Sequence, residues 1–133
     1  MNMIGFGAML HYLSSGSEHS PDEFVGRTIT AASIIDNRLR ITFEDGEQIK
    51  IWDDGQSCCE NRYMSTDDDL NSLCGHRLVR IEGKPGPDID DSSGDHETCF
   101  VEVGTDQGFV TLVNHNEHNG YYGGFGLTIT KVP

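Results

Sequence analysis

Twelve residues near the C-terminus, His115-Asn116-Glu117-His118-Asn119-Gly120-Tyr121-Tyr122-Gly123-Gly124-Phe125-Gly126, bring together two histidines, two asparagines, two tyrosines and four glycines. Histidine is the side chain whose ordinary charge change falls near neutral pH. His115 and His118, with Asn116 and Glu117 beside them, can therefore serve acid–base or metal chemistry. No serine or cysteine nucleophile motif accompanies them, and no glycine-rich loop with a phosphate-binding lysine. Most of the glycines follow the tyrosines, where they allow a bulge or a close backbone approach. In an extended chain Tyr121 and Tyr122 face opposite ways, one inward and one outward, and an exposed tyrosine beside Asn119 is contact-surface chemistry. The stretch reads first as a binding or structural loop with His115, His118, Asn119, Tyr121 and Tyr122 as contacts. A catalytic loop is the lesser reading.

Four cysteines, Cys58, Cys59, Cys74 and Cys99, offer a second chemistry. Structural zinc sites use paired ligands two to four residues apart, twice over. Adjacent Cys58 and Cys59 chelate one ion poorly, and Cys74-Gly75-His76 is the only other close pair. A zinc set of Cys58, Cys59, Cys74 and His76 is weighed against small buried thiols in a packed core. No other cofactor is expected. Thiol nucleophilicity needs a nearby cation or helix N-terminus, whereas Asp53, Asp54 and Glu60 surround the pair. The run Asp88–Glu97 looks like a calcium loop, but its glycine falls one position late and Cys99 stands where the bidentate glutamate belongs. It reads as a solvated loop.

The third signal is charge. The chain of 133 residues carries a formal net charge of -13. Between Asp53 and Glu97 there are twelve carboxylates against four cationic side chains. Such a field repels nucleic acid and anionic membranes and favours basic partners. Asp53, Asp54, Asp67, Asp68, Asp69, Asp88, Asp90 and Asp91 could imitate the phosphate rows of duplex DNA. The partner expected is then a basic surface on a host protein or nucleoprotein complex, with no direct nucleic acid or membrane contact. A solvated acidic face is the plainer alternative. The start of the chain lacks the basic n-region of a signal peptide, and no apolar run reaches the roughly 20 residues needed to span a bilayer. A cytoplasmic protein with reduced thiols is expected.

The elements that must position these groups are short. Residues 1–19 read as a flexible arm and 20–133 as one β-rich domain. Ser20, Pro21 and Glu23 form a capping-box signal for about one helical turn that Gly26 closes. Arg27–Ile35 is strand-like, and Asp36-Asn37 makes a two-residue turn. In Arg38–Glu44, Leu39, Ile41 and Phe43 alternate with polar residues, and Asp45-Gly46 is the strongest hairpin signal. Glu47–Trp52 returns with Ile49 and Ile51 inward. Thr66 or Asp67 caps a short helix over Asp68–Leu73, ended by Gly75. His76–Glu82 is a strand, Gly83–Asp95 a loop by composition, and Glu97–Val103, Phe109–Val113 and Leu127–Lys131 are strands. The sum is a mainly β fold with minor helix: a small antiparallel barrel or strongly twisted sheet with one or two short helices.

The lead-in to Gly26, the Asp45-Gly46 hairpin, Cys58-Cys59-Glu60, the Asp68–Gly75 helix and the Asn119-Gly120-Tyr121-Tyr122 ending resemble, in that order, a small-domain family of unknown function common in bacteriophages and prophage-bearing bacteria. The resemblance covers roughly residues 24–130. It implies a mobile-element origin and no known chemistry. Three functions follow in order: a phage-encoded, non-enzymatic binding protein, in one form an acidic inhibitor of a host defence nuclease or other nucleic-acid-binding enzyme; a small-ligand or metal-binding module using the His115–Tyr122 loop; and a small hydrolase using the histidines.

Overall fold

The computed structural model describes residues 19–53, 61–87, 89–91, 94–118 and 125–132. Its strands are β1 (Ile29–Ile35), β2 (Arg38–Phe43), β3 (Gln48–Asp53), β4 (Asn61–Ser65), β5 (Leu78–Pro85), β6 (Ile89–Asp91), β7 (Gly94–Thr105), β8 (Gly108–His118) and β9 (Leu127–Lys131). They form two antiparallel sheets, one ordered β1-β2-β3-β9 and the other β4-β8-β7-β5, with β6 also paired to β7. The mainly β fold expected from the alternating pattern is present. Its form is two sheets joined at one corner by the Thr28–Arg77 bridge, with no closed barrel among the described residues.

The two hairpins of the first sheet use different turns. Asp36 and Asn37 both have positive φ, 53° and 61°, the geometry that matches the right-handed twist of a two-residue hairpin. Asp and Asn are the non-glycine residues that tolerate it best. At Asp45-Gly46 the loop is one residue longer. The Gly46 amide donates to the Phe43 carbonyl, Phe43 N–H donates to Glu47 O, and Gly46 sits at φ 89°. Glycine takes that left-handed position without a Cβ clash. The capping box at Ser20 forms as expected around the 3-10 turn Pro21–Glu23.

Three sequence expectations change. Thr66 and Asp67 do not cap the second short helix: it is the 3-10 turn Leu70–Leu73, and the Asp69 side chain accepts from Asn71 N–H. Thr66 and Asp68 instead clamp β8, since the Thr66 hydroxyl donates to Thr111 O and Asp68 Oδ2 accepts from Thr111 N–H. The segment read as a loop over Gly83–Asp95 is largely strand, because β5 runs to Pro85 and β6 pairs with the start of β7. Pro85 is tolerated there because β5 lies at the end of the sheet path, where the missing N–H breaks no second ladder. Lastly, β8 continues to His118 because β7 supplies partners back to Asp95. His115–His118 is therefore strand, not loop.

Inward residues of both sheets share one core. Leu39, Ile41, Ile49, Ile51, Leu127 and Ile129 of the first meet Val101, Val103, Leu112 and Met64 of the second. Burying a side chain of this size stabilises the fold by about 1.5–3 kcal/mol. On the second sheet the interior grades from apolar to polar along β8, through Leu112 to the buried Asn114 and Asn116. Arg62 stands opposite Asn116, and its Nη1 donates to Asp53 Oδ2 at 2.7 Å with both side chains under 10% exposed. Asp53 Oδ1 accepts from Gly126 N–H at 2.8 Å. This ion pair ties β3 to β4 across the two layers.

Breaking a buried pair by removing one partner strands the other charge, at a cost of about 3–5 kcal/mol. Arg62→Met should lower the unfolding free energy by about that much in urea denaturation. A loss below about 1 kcal/mol would mean that Asp53 is solvated and the tie is weak.

Candidate functional site

The inner face of β8 is fixed by Leu112, Asn114 and Asn116, so the residues between them point to the other face. That outer face carries Val113, His115 and Glu117. Pairing puts Tyr63 opposite His115 on β4, and Thr98 opposite His115 and His96 opposite Glu117 on β7. Three strands thereby place Tyr63, Ser65, His96, His115 and Glu117 on one surface.

Their contacts form a connected chain. The Ser65 hydroxyl lies 2.9 Å from His115 Nε2, and His115 Nδ1 lies 2.9 Å from His96 Nε2. Two ring nitrogens at that distance share one proton, so one donates and the other accepts. The Tyr63 ring stacks on His115 with centroids 4.4 Å apart and planes 8° from parallel. The Tyr63 hydroxyl donates to Glu117 Oε2, which stands 3.9 Å from His96 Nε2. Beside the cluster, Gly86 N–H donates to Thr98 O and the Thr98 hydroxyl donates to Pro87 O. A Cβ on Gly86 would come within 2.3 Å of that hydroxyl, so the 86–87 segment can lie against Thr98 only as glycine.

Burial, and then the neighbouring His96, hold the His115 imidazole below its ordinary range, while Glu117 pulls the other way. A neutral imidazole at neutral pH is a proton acceptor. Cys99 is the opposite case, an inward thiol pushed far up by burial and then by the Asp53 carboxylate, which makes it inert.

Of the residues singled out by sequence, His115 and Glu117 lie in this cluster, while Asn116 is buried on the inner face of β8. His118 ends β8 on the same strand. Asp54, Cys58, Cys59, Asp88, Asn119, Tyr121 and Tyr122 lie outside the described residues. Asp90 and Asp91 are backbone partners in the β6–β7 pair. Asp53 is turned inward to Arg62 and presents no surface charge. Asp67, Asp68 and Asp69 are exposed, although Asp68 and Asp69 also accept backbone N–H groups. Cys74 is a half-buried free thiol, and His76 faces Asp106 at 3.9 Å. Among the described residues no group of three His, Cys, Asp or Glu is placed to hold a metal ion. No helix among them is long and apolar enough to cross a membrane.

The sequence reading missed Tyr63, Ser65 and the pairing of His96 with His115. The signal was present in the Asp106-Gln107 turn. Counting outward from it one residue at a time on each strand sets Thr98 against His115 and His96 against Glu117.

A family model for a domain of unknown function (DUF7448) matches residues 22–127, and the chain belongs to that family. The match spans every residue of the cluster. No curated protein and no solved structure matches the chain.

The His115 shift has a definite sign. Its folded pKa lies below its unfolded value, so the unfolded chain binds more protons between the two. The contribution of His115 to stability is therefore complete above the unfolded value of about 6.5 and is lost as pH falls through the folded value. By NMR, the His115 ring should titrate below a free imidazole. Glu117→Gln should lower it further, because the carboxylate is the group that raises it. A rise in that variant would show that Glu117 does not act on the ring.

Proposed function

We propose that this member of a family of unknown function works by binding a basic protein surface, through the exposed carboxylates that follow β4 and the polar outer face of the five-stranded sheet. The observation that carries the reading is the position of Asp67, Asp68 and Asp69. They are three consecutive exposed aspartates that begin two residues beyond Ser65, on a chain of net charge -13. Asp68 and Asp69 are held in place by the backbone groups they accept, so their charges are fixed in orientation. Fixed charge steers a cationic partner and selects its register more than it adds affinity.

The finer form of the proposal is a protein of phage or prophage origin that acts inside the host cell. It occludes the basic cleft of a defence nuclease or another enzyme that handles nucleic acid. Net charge and the residue resemblance support it. A small polar ligand is the second reading, favoured by His96 and His115 standing side by side with Tyr63 and Glu117 around them.

Screening separates the two. The Debye length falls from about 8 Å at physiological ionic strength to about 3 Å at 1 M. Tagged protein should capture a stoichiometric partner from bacterial lysate containing defence complexes and release it in a salt step. Asp67→Lys, which disturbs neither of the clamping carboxylates, should weaken capture. If nothing is captured and native mass spectrometry shows an added small molecule, the ligand reading takes first place.

A further inference from the structure

We propose that Ser65 is a nucleophile, with His115 as its base and His96 behind it, and that the chain cleaves small unhindered esters through an acyl-serine intermediate. The proposal goes beyond partner binding and stands or falls separately from it. It rests on three placements. Ser65 is exposed at the end of β4, so an acyl group can reach its Oγ. That Oγ is 2.9 Å from His115 Nε2. The other nitrogen of the same ring is 2.9 Å from His96 Nε2. A hydroxyl within reach of a base, with the base oriented by a third group, is the arrangement that activates serine.

The remaining residues fix the base. Ser65 pairs with Val113 and Tyr63 with His115, so Ser65 reaches His115 along the sheet diagonal. Tyr63 covers one face of the imidazole. For Nε2 to accept the serine proton, Nδ1 must carry hydrogen and donate to His96. The charge formed on attack then spreads toward His96, where Glu117 stands 3.9 Å away as counter-charge. His96 and Tyr63 act as positioning residues.

The step balances without any added redox partner. The Ser65 Oγ–carbon bond forms as the ester C–O bond breaks, and the proton passes from Oγ to His115 and on to the leaving alcohol. Water then adds to the acyl carbon, giving its proton to His115. The Oγ–carbon bond breaks, the acid departs and the proton returns to Oγ.

The probes are a fluorophosphonate, read by intact and peptide mass spectrometry, and p-nitrophenyl acetate. One adduct per chain is expected, located on Ser65 and absent in Ser65→Ala. His115→Ala should slow labelling by about 100-fold or more. The labelling rate should rise with pH as His115 loses its proton. His96→Asn should move that midpoint upward, since His96 is one of the groups holding it down; a purely structural role would leave the midpoint unchanged. Circular dichroism on each variant checks folding, and Ser65→Ala changes only an exposed side chain. No adduct on the folded chain, or an adduct that survives Ser65→Ala, overturns the proposal.

Discussion

The register of β7 against β8 governs both the core and the surface of the larger sheet. The pairing runs without interruption from Thr105 and Gly108 at the turn to Asp95 and His118 at the far end. Because strand side chains alternate, a slip of one residue would exchange Leu112, Asn114 and Asn116 for Val113, His115 and Glu117. The apolar interior would lose Leu112, and two ionisable groups would enter it without prepared partners. The folding energy that selects Leu112 for the core is thus the same energy that lays His115 beside His96. The surface cluster has no scaffold of its own.

The polar end of the interior complements this arrangement. Asn114, Asn116 and Arg62 face the side on which the first sheet supplies Asp53. An apolar core tolerates many packings, whereas a buried carboxylate accepts few. With one oxygen on Arg62 and the other on Gly126, Asp53 specifies how the end of β3 meets the start of both β4 and β9. Since β4 carries Tyr63 and Ser65 on its opposite face, the inward ion pair and the outward histidine contacts are set by alternate residues of the same strand.

How far the sequence revealed this depended on where periodicity was clean. Leu39, Ile41 and Phe43, and Ile49 and Ile51, alternate with polar residues, and their strands and inward faces follow directly from that pattern. The limits of β9 were readable for the same reason. The extensions of β5 and β7 were hidden because Gly83, Pro85 and Gly94 weaken strand propensity, while pairing to a long neighbour overrides it. The second 3-10 turn begins at Leu70, so its cap is Asp69 and not Thr66 or Asp67, while Thr66 and Asp68 engage Thr111, a tertiary contact that no local motif announces. Among the site residues, His115 drew attention through its company, but Ser65 and His96 are ordinary in their own neighbourhoods. Only the register makes them partners.

The clamp at Thr111 has a consequence for the chain in concentrated solution. Where a short strand ends beside a longer one, the longer strand is left with free amide and carbonyl groups, which is the template on which cross-β aggregates grow. At that point on β8, the Thr66 hydroxyl and the Asp68 carboxylate occupy both backbone groups of Thr111 after β4 has turned away. Side chains thus carry the ladder past the point where the backbone of β4 leaves it. The negative charge of Asp68 at the same spot further discourages an incoming strand. At Thr111 the sheet can therefore stay uncovered by a further strand without presenting free backbone groups to one.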